Sequence, residues 1–265
     1  MSAKIEVRKV SPTETADGAI CLQCSKSPDA ATWARHCRGE WLRQRMTRGL
    51  DLFVAYSKTQ PVGFVEAEPM NIAGWEVKDL YWLSCMYVAP EVRGKGVGDE
   101  LLRTIEVDAA HRSRGLYTTG KFGTCDLARF LLKHQYQPTQ ANGDTLYGRL
   151  FRGAPEPLRR KPKEPPRNRP LPDPKNVLVE LYWSAACAMC AYDSFVLQRV
   201  CTQFGNRVRL HSICQDEPTL VAKYGGAPGY AFIDGVEPPL YHHGQEDPNA
   251  VRQAIWQALR AKKLV

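Results

Sequence analysis

A glycine-rich turn between an apolar run and a helical pattern is the sequence feature that most constrains this chain. Leu80 to Val88 is apolar and aromatic and is closed by Ala89-Pro90, which predicts a buried strand. After the turn, apolar residues recur at helical spacing, with acidic residues in the first turn and basic residues in the last, as the helix dipole favours. The chain therefore predicts a strand, a turn and a helix in succession between residues 80 and 115.

The turn reads Arg93-Gly94-Lys95-Gly96-Val97-Gly98. Three residues without side chains let backbone N–H groups approach a ligand, and a helix N-terminus with two cations predicts a pyrophosphate site. A P-loop would need Gly-Lys followed by Ser or Thr, and a dinucleotide fingerprint beginning at Gly96 would need glycine in place of Leu101. The pattern that remains is Arg-x-x-Gly-x-Gly.

Strand, proline, Arg-x-x-Gly-x-Gly and helix in this order resemble the acetyl-coenzyme A motif of the GNAT (Gcn5-related) acyltransferases. The resemblance covers about residues 1–152 and implies a mixed sheet flanked by helices, acetyl-CoA as the cofactor, and N-acetyltransferase activity. In that family the turn binds the coenzyme pyrophosphate, and the preceding strand binds the pantetheine arm through its backbone. The resemblance therefore implies a coenzyme site formed by Met86, Tyr87, Val88, Arg93, Gly94, Lys95, Gly96, Val97 and Gly98.

The transfer chemistry of that family needs a base for the amine proton and a donor for the departing thiolate. Glu66 and Glu68 project to one face of a predicted strand and are the candidate bases, with solvated strand carboxylates as the alternative interpretation. The family often supplies the donor from a tyrosine where Leu131 stands here. Tyr136, Cys125 or a water molecule would then have to replace it.

An earlier segment predicts an amphipathic helix that covers a sheet. Trp33, Cys37 and Trp41 recur at intervals of four residues after Asp29, a plausible helix cap. The arginines of this segment fall mostly on the opposite face, and they are Arg35, Arg38, Arg43, Arg45 and Arg48.

Composition limits the partners of the chain. Of the formal charge of +8, the segment 153–175 holds a large share, with seven Lys/Arg, three Asp/Glu and eight of the nineteen prolines, which predicts an interdomain linker. The chain has no stripe of basic residues interleaved with aromatic residues, so nucleic-acid binding is not predicted. No apolar run is as long as a membrane span. The start is too polar for a signal peptide. We therefore expect a cytoplasmic protein, and a homodimer stays open. Because little of the chain suggests a groove for a protein substrate, we expect the amine acceptor that the resemblance implies to be a small molecule.

Nine cysteines in such a compartment are expected to be buried, catalytic or metal-bound. Cys21 and Cys24 with His36 and Cys37 match no common zinc spacing, so no metal is predicted.

A second apolar strand, residues 176–183, runs into Cys187-Ala-Met-Cys190 and a helix. The following pattern of strand, short helix, strand and closing helix resembles the thioredoxin fold, with Pro228 at the position of the family's cis-proline. The resemblance implies that Cys187 at the helix start is an attacking thiolate and Cys190 the resolving thiol. Ala-Met between the cysteines and Ala186 before them depart from the thioredoxin pattern, so a domain that only docks a partner is the alternative.

The expected fold class is thus α/β (α+β) with three parts: a GNAT domain at 1–152, a Pro/Arg/Lys-rich linker at 153–175 and a thioredoxin-like domain at 176–265 with its CxxC. Such a combination also resembles two-domain bacterial proteins with a YoaP-type C-terminal region. The expected function is acetyl-CoA-dependent N-acetylation of a small amine. The alternative is an acyl-CoA-binding, redox-sensing or partner-docking protein with little transferase activity.

Overall fold

The computed structural model describes residues 5–24, 27–122, 125–162, 164–227, 229–237 and 248–265. The chain divides into two compact units, of which the first comprises Met1–Gln23 and Leu42–Pro162 and the second Cys24–Trp41 and Lys163–Val265. Helix α1 (Pro28–Met46) contributes residues 28–41 to the second unit and 42–46 to the first. The predicted domain limits stay a prediction, but the second unit takes in a segment far upstream of residue 176.

The first unit contains a seven-stranded mixed sheet of order β1-β2-β3-β4-β5-β9-β8, together with a two-stranded ribbon. This confirms the predicted mixed sheet flanked by helices. The elements are β1 (Ile5–Lys9), β2 (Asp51–Ser57), β3 (Gln60–Pro69), β4 (Leu80–Val88), α2 (Val97–Arg112), β5 (Gly115–Thr119), β6 (Lys121–Phe122), β7 (Cys125–Asp126), α3 (Ala128–Lys133), β8 (Gln137–Ala141) and β9 (Asp144–Leu150).

The centre of this sheet opens where β4 leaves β5. β4 pairs with β3 in antiparallel fashion, and the register shifts between Glu66 and Ala67 so that Ser84 is an extra residue in β4. β4 and β5 are parallel, and their pairing covers only residues 80–82 of β4. Within the described register, the pairing with β5 therefore ends at Trp82, whereas the second half of β4 continues to pair with β3.

Helix α2 closes one face of the sheet. Its residues Leu101, Leu102 and Ile105 are completely buried and pack with Leu83 of β4 and Leu116 of β5. The apolar repeat after the glycine turn is thus the face that anchors α2, and its burial contributes on the order of 2 kcal/mol for each leucine or isoleucine. This packing fixes where α2 begins.

The second unit contains a three-stranded sheet of order β11-β10-β12, in which β10 pairs parallel with β11 and antiparallel with β12. Every element predicted after residue 176 is present in the predicted order. These elements are β10 (Val177–Trp183), α4 (Ala188–Thr202), β11 (Val208–Cys214), α5 (Pro218–Tyr224), β12 (Ala231–Ile233) and α6 (Pro248–Ala261). The thioredoxin-like resemblance stays a prediction, and Pro228 lies outside the described residues.

Both faces of β10 are buried in the second unit. Val177, Val179 and Leu181 pack against α4 and α6, and Tyr182 packs on the other face with Ile213 and Phe232. Strands buried on both faces read as near-continuous apolar runs, which explains the sequence of β10. The N-terminal part of α1 adds a further layer, because the Trp33 ring lies 5.0 Å from Trp183 and 5.5 Å from Phe195.

The proline-rich segment is extended but anchored. In the first unit, Leu158 is 6% exposed, and the backbone N–H of Glu76 donates to the carbonyl of Arg159 at 2.9 Å. In the second unit, Arg169 forms a bidentate ion pair with the buried carboxylate of Glu180, with N–O distances of 2.9 and 2.7 Å. Within the described ranges, no helix is long and apolar enough to cross a membrane.

Candidate functional site

The predicted turn lies at the N-terminus of α2 and is open above its glycines. Gly94 and Gly96 adopt left-handed φ angles of 73° and 82°, which only glycine adopts at low cost. A Cβ placed on either residue would meet no atom within 4 Å. The N-terminus of α2 therefore begins beside open space, as an anion site at a helix N-terminus requires.

A cavity of about 540 Å³ lies beside this turn and brings together seven of the nine residues predicted for the coenzyme. Val97 is instead buried in the core, and Lys95 is exposed with its Nζ 2.8 Å from the carbonyl of Glu91. The lining residues come from the second half of β4, the turn, α2 and α3. They are Met86, Tyr87, Val88, Val92, Arg93, Gly94, Gly96, Gly98, Asp99, Leu127, Phe130 and Lys133.

The α3 wall of this cavity was not predicted. Lys133 forms an ion pair with Asp99 at 2.8 Å, and the His134 ring nitrogen lies 2.9 Å from the same carboxylate. The hydrogen bond from Lys133 and that from His134 lower the pKa of Asp99, against burial. The Phe130 ring lies 3.7 Å from where a Cβ on Gly98 would stand, so the absence of a side chain there lets α3 approach α2.

A second cavity of about 540 Å³ borders α2 and shares Gly96 and Asp99 with the first. Its wall includes the ion pair between Arg149 and Glu106, with an N–O distance of 2.8 Å. The N-terminus of α2 thus faces two openings.

The two candidate bases are buried in the sheet rather than solvated. Glu66 is 1% exposed and accepts a hydrogen bond from the Ser84 hydroxyl at 2.9 Å. Glu68 is 3% exposed and pairs with Arg45 at 2.8 Å. The interpretation of both as solvated carboxylates is therefore wrong. Neither carboxylate lines the cavity beside the turn, although the extra residue Ser84 links Glu66 to the strand that does.

The structure does not bring Tyr136 to the cavity. Its side chain is completely buried in the core beside α2. Burial, together with the negative charge of Glu106, raises the pKa of Tyr136 well above the ordinary value of 10.0. The phenol therefore does not line the cavity beside the turn, and its role as the donor stays a prediction. The backbone of Cys125 lies in β7, and its side chain is outside the described residues.

Cys187 and Cys190 lie together at the start of α4. Cys187 is the N-cap of this fifteen-residue helix, and both residues are partly exposed. The hydrogen bond from the Cys190 thiol lowers the pKa of Cys187 from 9.0 to about 6, against burial. The backbone N–H groups of Cys190 and Met189 and the charge of Arg38 act in the same direction. The cysteine that the sequence predicts as the attacker thus lies at a helix N-terminus with a lowered pKa, and its role as an attacking thiolate stays a prediction.

Arg38 was missed, and its predicted location on the polar face of α1 is wrong. Its side chain is 1% exposed, and Nη1 donates to the carbonyls of Ala185 and Ala186, just before Cys187. Only the position of α1 in the fold reveals this contact, because 147 residues separate Arg38 from Ala185. Among the side chains that the structure describes, no group of three or more His, Cys, Asp or Glu is placed to hold a metal ion.

The comparisons with known proteins bear on the first unit. Residues 48–141 match the family model described as "Acetyltransferase (GNAT) domain". The chain is therefore similar to GNAT acetyltransferases over this segment, which includes the glycine turn, both candidate bases and the residues that line the cavity beside the turn. No curated protein matches the sequence.

Several solved structures are similar to part of the chain. A GNAT family acetyltransferase from Brucella melitensis in complex with acetyl-CoA is 18% identical, with a TM-score of 0.41, over 58% of this chain and 93% of that one. The PaiA N-acetyltransferase from Thermoplasma acidophilum in complex with coenzyme A is 17% identical, with a TM-score of 0.40, over 56% and 99%. The GNAT family N-acetyltransferase YhbS from Escherichia coli in complex with CoA is 14% identical, with a TM-score of 0.45, over 60% and 91%.

Proposed function

We propose that the first unit is an N-acetyltransferase that uses acetyl-CoA and acts on the amine of a small molecule. The observation that carries this proposal is the open glycine turn at the N-terminus of α2, beside a cavity that contains most of the predicted coenzyme residues. The match to the GNAT family model over the same segment supports it.

The residues present fit an anionic coenzyme. The space above Gly94 and Gly96 accommodates a diphosphate, and the positive end of α2 stabilises its charge. After Leu83, β4 pairs with β3 on one side while its pairing with β5 covers residues 80–82, so this half of β4 offers an edge to an extended arm. Arg93 lines the cavity, and its Nε donates to the Val88 carbonyl at 2.9 Å, which holds the guanidinium beside the turn.

The bound coenzyme would supply the activated acetyl group, and the chain would orient the acceptor amine and remove its proton. Glu66 is the stronger candidate for the base, because its Ser84 contact connects it to β4. Glu68 is already paired with Arg45, which favours a role in positioning. Since Tyr136 is buried in the core, a water molecule is the simplest donor to the departing thiolate.

The coenzyme site is tested by replacing Gly96 with leucine. The change places a side chain in the space proposed for the diphosphate, so we expect the affinity for coenzyme A in isothermal titration calorimetry to fall at least tenfold. Gly143→Leu is the matched control, because Gly143 has a φ of +84° and an equally open Cβ position in the β8–β9 turn. Both variants carry similar backbone strain. Unchanged affinity in Gly96→Leu would refute the site.

The base is tested by Glu66→Gln and Glu68→Gln, with free coenzyme A quantified by chromatography across a panel of primary amines. Loss of a general base costs about 100-fold or more in kcat. We expect this loss for Glu66→Gln with coenzyme affinity unchanged, and a smaller loss accompanied by lower stability for Glu68→Gln. If neither change lowers kcat, the base lies elsewhere.

A second candidate function belongs to the second unit, where Cys187 and Cys190 would carry thiol–disulfide chemistry. The lowered pKa of Cys187 favours this candidate over a unit that only docks a partner. Formation of a Cys187–Cys190 disulfide in a glutathione buffer tests it.

Detectable coenzyme binding without turnover on any amine would favour the alternative of an acyl-CoA-binding, redox-sensing protein. The proposal of an N-acetyltransferase includes a cytoplasmic location and a homodimer. It includes no nucleic-acid partner and no membrane partner.

A further inference from the structure

A buried arginine lies beside the loop that precedes the cysteine pair. Arg38 belongs to the segment of α1 that is part of the second unit, and its side chain is 1% exposed. Burial of a guanidinium costs free energy unless polar groups compensate for lost water. The groups that Arg38 contacts therefore indicate the role of this buried side chain.

Arg38 contacts the backbone of the loop rather than only side chains. Nη1 donates to the Ala186 carbonyl and lies 3.5 Å from the Ala185 carbonyl. The guanidinium carbon lies 4.6 Å from the centre of the Trp41 ring, a cation–π contact that orients its plane. Because Ala186 directly precedes Cys187, these bonds fix the peptide that leads into the thiol.

An anion holds the same loop from its N–H side. Asp216, just after β11, accepts hydrogen bonds from the Ser184 hydroxyl at 2.8 Å and from the Ala185 N–H at 2.6 Å. The Ala186 N–H in turn donates to the Ser184 hydroxyl at 3.0 Å. Asp216 therefore holds hydrogen-bond donors of the loop 184–186, and Arg38 holds backbone carbonyl acceptors of the same loop.

Other ionisable groups near the pair come from α1, α4 and the end of β11. Cys190 is on α4 with Cys187, and Asp193 is buried one turn further along α4. The Cys214 thiol lies 3.7 Å from Asp216, and the negative charge of Asp216 also acts on Cys37 of α1. Among these groups, Arg38 supplies the positive charge that favours the thiolate of Cys187.

We propose that Arg38 is a positioning residue of the Cys187–Cys190 pair, which orients the loop before Cys187 and stabilises its thiolate. This rests on the second candidate function, thiol chemistry in the second unit. It adds that the thiol site is completed by a residue that lies far outside the predicted domain 176–265. Without Arg38, Cys187 would be less reactive, because only the Cys190 thiol and the backbone N–H groups would then stabilise its thiolate.

The test measures alkylation of the reduced full-length chain by iodoacetamide between pH 4.5 and 9.5. The Cys187 peptide is followed by mass spectrometry, which separates this thiol from the others. In the native chain we expect the rate to rise with a midpoint near pH 6. In Arg38→Gln we expect the midpoint to rise by about one unit or more, with reactivity at pH 6 at least about fivefold lower. Arg38→Lys, which retains the charge, should recover at least half of the shift.

Arg35→Gln is the matched control, because Arg35 is an exposed arginine on the same helix and its loss removes the same charge. Circular dichroism and thermal melting verify the fold of each variant, and Arg38→Met takes the place of Arg38→Gln if the latter does not fold. An unchanged midpoint without Arg38, or the same shift in Arg38→Lys as in Arg38→Gln, would overturn the proposal. So would a midpoint near 9 in the native chain. Disulfide formation in glutathione buffer is read separately, so that failure of the thiol function is distinguished from failure of the Arg38 role.

Discussion

Buried charged side chains in both units are paired with residues distant in sequence. Glu68 pairs with Arg45 in the first unit, and Glu180 pairs with Arg169 in the second. An ion pair of this kind adds little net stability, but removal of one partner leaves an uncompensated buried charge. The Arg169–Glu180 pair therefore makes the end of the proline-rich segment sensitive to a single substitution.

We predict that Arg169→Met destabilises the second unit by about 3 kcal/mol, the lower end of the range for a broken buried pair, because Arg169 itself is partly exposed. Hydrogen exchange of the β10 peptide gives the measurement, since Glu180 lies in that strand. Arg167→Met is the control, because its exposed pair with Glu164 is worth at most about 1 kcal/mol. Equal protection in the two variants would contradict the prediction.

At the level of residues, the features that could be predicted from the sequence are those that a local sequence pattern determines. The turn from Arg93 to Gly98 and the pair Cys187 and Cys190 lie at helix starts as expected, because glycine conformation and helix capping are local properties. The contacts of Arg38 and the burial of Glu66 were not predicted. Both depend on which distant element covers the side chain, and helical or strand periodicity alone does not contain that information.

At the level of elements, long and strongly periodic segments were predicted well and a short polar one was missed. β4, α2, β10 and α4 lie close to their predicted positions, because each buries a regular apolar face. β8 has the sequence QPTQA, with Pro138 and few apolar residues, and it forms because β9 offers it an edge to pair with. The early end of the pairing between β4 and β5 likewise depends on strand pairing, which composition does not determine.

The start of α4 carries a prediction about pH and stability. The pKa of Cys187 is about 6 in the folded chain and 9.0 as an ordinary thiol, so the unfolded chain binds more protons between these values. The stabilisation from this thiolate is therefore fully present above pH 9 and is lost as the pH falls through 6. The slope is at most about 1.4 kcal/mol per pH unit.

We expect the free energy of unfolding of the reduced chain to rise relative to Cys187→Ser as the pH increases from 6 to 8.5. Urea denaturation of both proteins at several pH values measures this difference. Burial raises the pKa of Cys201 to about 12 and of Cys214 to about 11, which has the opposite effect on the stability of each protein at high pH. Because both proteins contain these two thiols, their contribution cancels in the difference. A constant difference across the range would mean that the Cys187 thiolate adds nothing to stability.

At the level of the whole molecule, neither compact unit is one continuous stretch of the sequence. The second unit combines residues 24–41 with everything after residue 162, so the proline-rich segment is not its only connection to the rest of the chain. Within that unit, Trp33 contacts Trp183 and Phe195, and the Tyr192 hydroxyl accepts a hydrogen bond from the Ser27 N–H at 3.2 Å. A boundary near residue 152 was the natural prediction, because composition changes there, whereas the packing of residues 24–41 leaves no mark in composition.

We predict that proteolytic cleavage within 153–175 does not release an independent C-terminal fragment. Residues 24–41 remain with the N-terminal fragment, yet they pack in the second unit, so the fragments should elute together in native size-exclusion chromatography and separate in urea. Trp33→Ala should weaken the association of the cleaved fragments at least tenfold, about 1.4 kcal/mol, because the ring contacts with Trp183 and Phe195 are lost. Thr32→Ala, at an exposed neighbouring position, should not. Elution as two separate folded fragments would instead show that 176–265 is sufficient to form the second domain, and would return the boundary to residue 152.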